Sequence, residues 1–407
     1  MVASTPSTRR SSRSRSARTL LTGTATLALV VSDALLGSTP SATAAPAAPS
    51  APAAARTAAA PSYTVGTVVS GLRLPWDLTW AGSMMMYDLR GGGLYGKRGS
   101  AKPKRITLAK GPRLFVGSEA GMLGLVADPK FSSTRWFYSC QAVADSRGRP
   151  LDVRVLRWKL DSDTHATLSK TMIKGLPISS GRHSGCRLRF SKYDMLYVGT
   201  GDAAEGRNPQ NLQSLGGKIL RIRRDGSIPP SNPFYSRGGN ARYVWNYGHR
   251  NVQGLALRPG TNDLWSVEQG TYRDDEVNRV VQGGNYGYNP LPGTYNESVP
   301  MTDTRKYPKA IRAAWRSGDP TIATCGATFL SGSRWKSWNG ALVVGVLKDE
   351  QIRIMKINSS GSASTVKIIT ALKGRHRIRT VQLGPDGALY FTTSDGSNDV
   401  IGKITPR

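Results

Sequence analysis

From about residue 62 onwards, the chain repeats a pattern in which two stretches of alternating apolar and polar residues flank a turn. The clearest copy covers residues 381–391, where Pro385-Asp-Gly387 separates the two stretches. Alternation with a period of two is typical of a half-buried β-strand. The turn is favoured because Pro presets φ and Gly tolerates a positive φ. Residues 62–407 are therefore predicted to be β-strands with almost no helix.

The pattern occurs six times, with copies that begin near residues 78, 125, 188, 255, 328 and 381. Each interval leaves room for a four-stranded sheet and one variable loop. Four-stranded sheets repeated around an axis form a β-propeller, which leaves few exposed strand edges. We therefore predict an all-β fold, a six-bladed β-propeller over residues 62–407. A large β-sandwich is the alternative, but it would not need the same turn six times.

Residues 1–44 have the composition of an export signal peptide. A head rich in Arg and Ser precedes a mostly apolar stretch over residues 20–36, and residues 42–44 have the small-x-small pattern of a cleavage site. Thr, Ser and Asp residues interrupt the apolar stretch, so a stable transmembrane helix is not expected. Arg9-Arg10 leaves open whether the twin-arginine route is used. We expect a secreted protein with no membrane span.

Residues 45–61 are almost entirely Ala, Pro and Ser and are predicted to be a linker. The chain has 56 Lys and Arg against 26 Asp and Glu, a formal charge of +30, and loss of residues 1–44 with their five Arg and one Asp would leave +26. The basic residues are scattered and form no basic helix, so no nucleic-acid partner is predicted. Anionic cell-wall polymers are the partner that this charge suggests for an exported protein.

The chain has three cysteines, Cys140, Cys186 and Cys325, which are too few for a disulfide scaffold. Outside the reducing cytosol, one disulfide and one remaining thiol is the simplest arrangement. We favour Cys140–Cys186 as the pair.

His183 is the first candidate catalytic residue. It stands among glycines just before the copy that begins near residue 188, and Asp202 follows the next predicted strand. An imidazole is the usual general base near neutral pH, and a carboxylate could orient it. Alternatively, the histidine could bond to backbone in a tight turn, and the aspartate could simply suit a turn.

Basic residues border several other copies of the pattern. They are Arg250, followed by Asn251, Lys348 at the end of an apolar strand, and Arg377 and Arg379, which are two residues apart. Residues two apart on a strand share a face, so the last two guanidinium groups should project together. Like charges side by side cost energy unless an anion neutralises them. A planar polyanion at a channel mouth would account for the group, although each residue alone could be a solvent-facing strand end.

Four acidic residues concentrate in one segment of this basic chain: Glu268, Asp274, Asp275 and Glu276. Glycines nearby free backbone carbonyls, and hard oxygen ligands suit Ca²⁺. The spacing is not that of an EF-hand, so a solvated loop is equally compatible with the segment. His249, next to Arg250, is expected to be structural.

Together these segments resemble the glucose/sorbosone dehydrogenase family, whose soluble members use pyrroloquinoline quinone (PQQ). The similarity extends from about residue 68 to residue 404 and depends on several motifs in the family's order. These motifs are Gly71-Leu-Arg-Leu-Pro-Trp-Asp77, Gly117-Ser-Glu-Ala-Gly-Met-Leu-Gly124, His183-Ser-Gly-Cys-Arg-Leu188, Gly199-Thr-Gly-Asp202, Leu215-Gly-Gly-Lys-Ile-Leu220, Gly248-His-Arg-Asn-Val-Gln-Gly254, Asp274-Asp-Glu-Val-Asn278, Gly284-Asn-Tyr-Gly287 and Arg377-Ile-Arg379.

The resemblance implies a six-bladed propeller that transfers a hydride from the hydroxyl-bearing carbon of a sugar to PQQ and passes the electrons to an external acceptor. It implies three catalytic residues. His183 would be the base that removes the hydroxyl proton, Asp202 would orient it, and Arg250 would contact the quinone oxygens together with Asn251.

The resemblance also implies which residues hold the cofactor and a metal ion. Lys348, Arg377 and Arg379 would hold the PQQ carboxylates, and Glu119 stands where the family has a polar residue near the site. The carbonyls of Gly270 and Thr271 would ligate Ca²⁺.

This chain departs from the family pattern at three places. Glu268-Gln-Gly-Thr271 replaces the family's Glu-His-Gly-Pro, Tyr288 replaces the commoner Trp, and Arg182 adds a cation just before the base. These changes concern the calcium loop and the sugar side of the site.

The main alternative to a PQQ-dependent sugar dehydrogenase is a non-catalytic propeller that binds carbohydrate or cell wall. A propeller hydrolase or lactonase would need several inward carboxylates around a metal.

Overall fold

The structure, a computed structural model, describes residues 59–374 and 376–407. The predicted export signal and residues 45–58 of the predicted linker lie outside the described residues. At the end of that linker, Pro61 is buried, and the Ala59 carbonyl accepts a hydrogen bond of 3.2 Å from the Ser337 N–H.

Twenty-four strands make up most of the described chain. They are β1 (Tyr63–Leu72), β2 (Pro75–Ala81), β3 (Met84–Leu89), β4 (Leu94–Arg98), β5 (Lys104–Ala109), β6 (Met122–Ala127), β7 (Trp136–Ala144), β8 (Pro150–Ser162), β9 (His165–Leu176), β10 (Gly185–Phe190), β11 (Met195–Thr200), β12 (Lys218–Arg223), β13 (Val244–Tyr247), β14 (Val252–Leu257), β15 (Leu264–Glu268), β16 (Glu276–Arg279), β17 (Trp315–Arg316), β18 (Thr324–Phe329), β19 (Leu342–Val346), β20 (Gln351–Ile357), β21 (Ala363–Ile368), β22 (Ile378–Leu383), β23 (Leu389–Thr393) and β24 (Asp399–Pro406).

Helix is confined to short segments in the described chain. The α-helix, α1, is Phe131–Thr134, and 3₁₀ turns cover Tyr235–Arg237, Gly239–Tyr243, Ser333–Trp338 and Thr370–Leu372. The predicted all-β class is confirmed. None of the helices in residues 59–374 and 376–407 is long and apolar enough to cross a membrane.

The strands pair as antiparallel groups of four. Four sheets have the orders β10-β11-β12-β13, β14-β15-β16-β17, β18-β19-β20-β21 and β1-β24-β23-β22. In the last of these, the N-terminal strand β1 completes the C-terminal group. The fifth sheet has eight strands because the antiparallel groups β2–β5 and β6–β9 are joined by parallel pairing of β5 with β9.

The first strand of each group belongs to a closed ring. In turn, β2 contacts β6, β6 contacts β10, β10 contacts β14, β14 contacts β18, β18 contacts β22, and β22 returns to β2. Each of the six copies of the turn pattern predicted from sequence begins in one of these ring strands. The approach of neighbouring ring strands requires glycine: a Cβ on Gly254 of β14 would lie 2.5 Å from the Cys325 carbonyl oxygen of β18.

A disulfide links two neighbouring groups. Cys140 of β7 is bonded to Cys186 of β10, which confirms the predicted pair, and Cys325 is a buried free thiol. Cys140, Cys186 and Leu188 belong to the hydrophobic cluster between these groups. Because Cys186 is three residues after His183, this packed region supports the segment that carries the candidate base.

Candidate active site

His183 and Asp202 form a buried pair. His183 precedes β10 and is 8% exposed, and its φ of +50° places it in the left-handed region. Asp202 follows β11 and is fully buried. The His183 Nδ1 lies 2.8 Å from Asp202 Oδ1. Because an ionised carboxylate only accepts, Nδ1 carries the proton, and the Nε2 lone pair is left to act as a base.

Arg250 is a buried cation next to this pair. Its carbonyl accepts a hydrogen bond from the Asp202 N–H at 2.8 Å, its Nη1 donates to the Gln269 carbonyl at 3.2 Å, and its Nη2 is 3.4 Å from Glu297 Oε1. Burial acts to lower the pKa of Arg250, but nearby phenols and carboxylates outweigh burial and raise it. Its Nε is buried and has no hydrogen-bond partner among the described residues.

A chain of hydrogen bonds connects Asn251 to Arg379. Asn251 Nδ2 donates to Glu119 Oε2 at 3.1 Å, and Gln253 Nε2 donates to Glu119 Oε1. Gln253 Oε1 in turn accepts from Arg379 Nη1 at 3.2 Å, and the same Nη1 is 3.2 Å from the Cys325 Sγ. The Glu119 N–H also donates to the Gly181 carbonyl at 3.2 Å, which ties this chain to the His183 loop.

A cavity of about 370 Å³ lies beside this hydrogen-bond chain. Its lining residues include Trp76, Arg90, Glu119, Gln269, Arg377 and Arg379. The Arg379 guanidinium stacks on Trp76 at 3.9 Å from the ring centroid. The volume of the cavity is in the range of about 300–1,000 Å³ that is usual for small-molecule sites. His183 does not line this cavity; Glu119 and Gln269, which contact the loops around His183 and Arg250, connect the two parts of the site.

Arg90, which ends the first hairpin, is a cavity residue that the sequence analysis missed. Burial and the charge of Arg379 lower the pKa of Arg90, and neither Arg90 Nε nor Arg379 Nε has a hydrogen-bond partner in the described chain. The available signal was Asp88-Leu-Arg-Gly-Gly92, a cation followed by glycines at the end of an apolar strand. The crowding of half-buried guanidinium groups favours an anion in the cavity.

Three sequence-predicted cations lie at different depths. Arg379 is half-buried, and Arg377 is exposed on the same side of the sheet, where both line the cavity. Lys348 is exposed in the turn after β19, next to Leu347, which lines the cavity. The Lys348 side chain itself does not line the cavity.

The acidic segment is neither a solvated loop nor a carboxylate cage for a metal. Glu268, Asp275 and Glu276 are at most 1% exposed. Asp275 accepts the N–H groups of Gly270, Ile322 and Thr324 at 2.9, 2.8 and 3.1 Å. Burial and the Glu268 charge raise the pKa of Glu276 to about 8. No group of three or more His, Cys, Asp or Glu in the described residues is placed to hold a metal ion.

Asp275 instead shapes the loop that contains Gly270 and Thr271. Gly270 is buried, and a Cβ there would lie 2.5 Å from the Asp274 carbonyl oxygen. The Thr271 hydroxyl is buried and has no hydrogen-bond partner in the described part of the chain. Any calcium ion here would therefore be held by carbonyl and hydroxyl oxygens, which are suitable hard ligands.

His249 is structural, as expected. It is fully buried, its Nδ1 lies 2.8 Å from Glu268 Oε1 and its Nε2 lies 3.1 Å from Asn246 Oδ1, and its ring stacks on Tyr286.

The structure places Tyr288 at the site and adds Tyr295 and Glu297 to it. All three come from the long segment between β16 and β17. Glu297 Oε1 forms ion pairs with Arg182 Nη2 at 2.7 Å and with Arg250 Nη2 at 3.4 Å. Sequence reasoning found no motif for Tyr295 and Glu297, because their roles depend on where the loop folds back.

The described chain is thus an all-β protein that combines a ring of antiparallel sheets, a buried His–Asp pair and a cavity lined by arginine side chains. The model of the family described as Glucose / Sorbosone dehydrogenase matches residues 72–402. The chain belongs to this family.

Named relatives agree with this assignment. The chain is 30% identical over 366 residues to the aldose sugar dehydrogenase YliI of Escherichia coli (strain K12), covering 86% of this chain and 95% of that protein. It is 25% identical over 357 residues to quinoprotein glucose dehydrogenase B of Acinetobacter calcoaceticus, covering 69% of this chain and 74% of that protein.

Solved structures show the same likeness. The apo-form of the soluble aldose sugar dehydrogenase from Escherichia coli matches with a TM-score of 0.76 and 28% identity, over 85% of this chain and all of that one. The PQQ-bound form of aldose sugar dehydrogenase from Streptomyces coelicolor matches with a TM-score of 0.66 and 26% identity, over the same shares.

Proposed function

We propose that this protein is a secreted, six-bladed propeller that oxidises an aldose- or sorbosone-like sugar with PQQ as its cofactor. The observation that carries the proposal is the pair of half-buried guanidinium groups, Arg90 and Arg379, whose Nε atoms face no described partner beside a cavity of about 370 Å³. The six groups of four strands, joined through the ring of first strands, support the propeller.

The residues present fit PQQ, a planar molecule with three carboxylates. Arg379 and Arg90 would hold carboxylates inside the cavity, and Arg377 and Lys348 would do so at its rim. Guanidinium groups suit this task because their planar fork can make two bonds to one carboxylate. Arg250 and Asn251 would contact the other end of the cofactor. Glu119 would hold Asn251 in place by accepting a hydrogen bond from its Nδ2. When bound, PQQ would supply the acceptor for the hydride.

His183 would act as the base towards the sugar. Its Nε2 would take the proton of the sugar hydroxyl, while Asp202 holds the Nδ1 proton and stabilises the imidazolium that results. Arg182 and Glu297 border the same side and would meet the sugar or its neighbours. An external electron acceptor is needed for turnover.

A calcium ion would be held at the loop of Gly270 and Thr271. Their carbonyls and the unpartnered Thr271 hydroxyl are the supporting groups, and a Lewis acid there would stabilise negative charge on a bound ligand. Without the family's Pro at position 271, the affinity of this loop for Ca²⁺ is expected to be the weakest feature of the site.

Export and the cell wall complete the proposal. The composition of residues 1–44 supports export, and the charge of +26 that would remain after their loss supports contact with anionic cell-wall polymers.

The test reconstitutes the purified protein with PQQ and CaCl₂ and follows dye reduction with a panel of aldoses. We expect turnover, and a rise in melting temperature with PQQ. His183→Gln should keep the PQQ-dependent rise while it loses at least about a hundredfold in kcat. No turnover and no thermal shift would refute the proposal and favour a carbohydrate-binding propeller. Loss of PQQ binding in His183→Gln would refute the assignment of the base.

A further inference from the structure

Tyr295 reaches the candidate base from a different part of the chain. Its hydroxyl donates to Asp202 Oδ2 at 2.6 Å and lies 3.3 Å from His183 Nδ1. The Tyr295 and His183 rings are 5.8 Å apart. Asp202 Oδ1 meanwhile accepts hydrogen bonds from His183 Nδ1 and from the Ala204 N–H, each at 2.8 Å. The two oxygens of Asp202 therefore serve different partners, and Tyr295 takes the one that His183 does not use.

A second tyrosine supports the first. Tyr288 is fully buried, and its hydroxyl donates to the Tyr295 hydroxyl at 3.1 Å. A hydroxyl that accepts one hydrogen bond becomes a stronger donor in the next. The hydrogen bonds thus run in one direction, from Tyr288 to Tyr295 to Asp202. Tyr288 is also the position where the chain departs from the commoner Trp, which has no hydroxyl.

We propose that Tyr295, supported by Tyr288, is a positioning residue that holds Asp202 in place and limits the basicity of His183. By binding the far oxygen of Asp202, the phenol disperses the carboxylate charge that would otherwise favour the His183 imidazolium. His183 then stays neutral, and able to accept a proton, at a lower pH. The effect on turnover rests on the proposed function, whereas the effect on the His183 imidazole does not.

The other charged groups around His183 are fixed by their own partners. Arg250 lies beside the two tyrosines, Glu297 is held between Arg182 and Arg250, and the buried Lys218 is close to Asp202. Burial and the charge of Asp202 raise the pKa of Tyr295, so that its hydroxyl remains a donor throughout the working range of pH. Removing one phenol oxygen changes none of these charges.

The test measures the His183 pKa by NMR in the protein without cofactor. The chain has four histidines, so the imidazole signals are few, and His183→Gln assigns the one of interest. We expect Tyr295→Phe to raise the His183 pKa by about one unit. Tyr288→Phe should raise it by less, because only the donor to Tyr295 is lost. Tyr193→Phe, at a 64% exposed tyrosine in the turn after β10, is the matched control and should not change it.

The relative size of the His183 pKa change in the three variants decides the proposal. An unchanged or lowered His183 pKa in Tyr295→Phe would overturn it, as would a larger rise in Tyr288→Phe than in Tyr295→Phe. Near-ultraviolet circular dichroism confirms that each variant is folded; if Tyr295→Phe does not fold, the sign of the shift in Tyr288→Phe decides in the same way.

Turnover provides a separate measurement. In the reconstituted enzyme, Tyr295→Phe should lower kcat about tenfold with little change in KM, and should move the acid limb of the pH profile upwards. If the wild-type protein has no activity, the proposed function fails, but the NMR comparison still tests the positioning role.

Discussion

Removal of the Cys140–Cys186 disulfide is expected to destabilise the fold by several kcal/mol while leaving every charge in place. The bond closes a loop with a sequence separation of 46 residues. On the chain-entropy relation, a loop of that length restricts the unfolded chain by about 4 kcal/mol at 25 °C. Both sulfurs are buried in the cluster between the β6–β9 and β10–β13 groups, so their truncation to Ala adds a smaller packing loss.

The assay is equilibrium unfolding in urea of the wild type, Cys140→Ala, Cys186→Ala and the double variant. Because the two cysteines share one bond, each single variant should lose nearly as much stability as the double variant. The m-value should rise, since the uncrosslinked chain exposes more surface when it unfolds. A total loss below about 1 kcal/mol, or single losses that simply add, would show that the bond does not restrain the unfolded chain.

Two further predictions concern the buried Lys218 and the half-buried Arg90. The Lys218 ammonium is fully buried and donates to the carbonyls of Asn208, Pro209 and Gly216 at 2.6, 3.1 and 2.7 Å, so Lys218→Met should cost about 3 kcal/mol by thermal or urea unfolding. Burial lowers the pKa of Lys218 to about 7, below its unfolded value of 10.5, so between these two pH values the unfolded chain binds more protons than the folded chain. The stability of the wild type relative to Lys218→Met should therefore rise with pH over this range. A stability difference that stays constant from about pH 7 to 10 would contradict this. If the proposed function holds, Arg90→Met should weaken PQQ affinity about tenfold or more, measured by isothermal titration, whereas Arg237→Met, at an exposed arginine, should leave it unchanged. Equal affinities for Arg90→Met and the wild type would remove Arg90 from the proposed cofactor site.

Much of the fold could be predicted because its signals are local. The alternation of apolar residues around each turn indicates which segments are strands, and all six predicted copies begin in a ring strand. The disulfide was also predictable, because three cysteines allow few pairings. The motif around His183 and Asp202 marked both residues, and the structure places them 2.8 Å apart.

The missed residues share a physical reason. The local signal at Arg90, a cation and glycines after a strand, is also common at solvent-facing strand ends, and Tyr295 lies in a loop without any repeated pattern. The acidic segment was misread for a similar cause. Glu268, Asp275 and Glu276 are hydrophilic in sequence, yet the fold buries them against backbone N–H groups and polar side chains that satisfy them.

The amino-acid sequence alone thus determined the β-strands, their sixfold recurrence and the residue types available for proton removal and anion binding. These properties depend on neighbours along the chain, where periodicity and turn chemistry act. Only the tertiary structure decided which cations face one cavity, that Asp202 accepts a second hydrogen bond from Tyr295, and that Lys348 is exposed outside the cavity lining. Those relations join segments up to hundreds of residues apart, and they exist only once the ring of strands has closed.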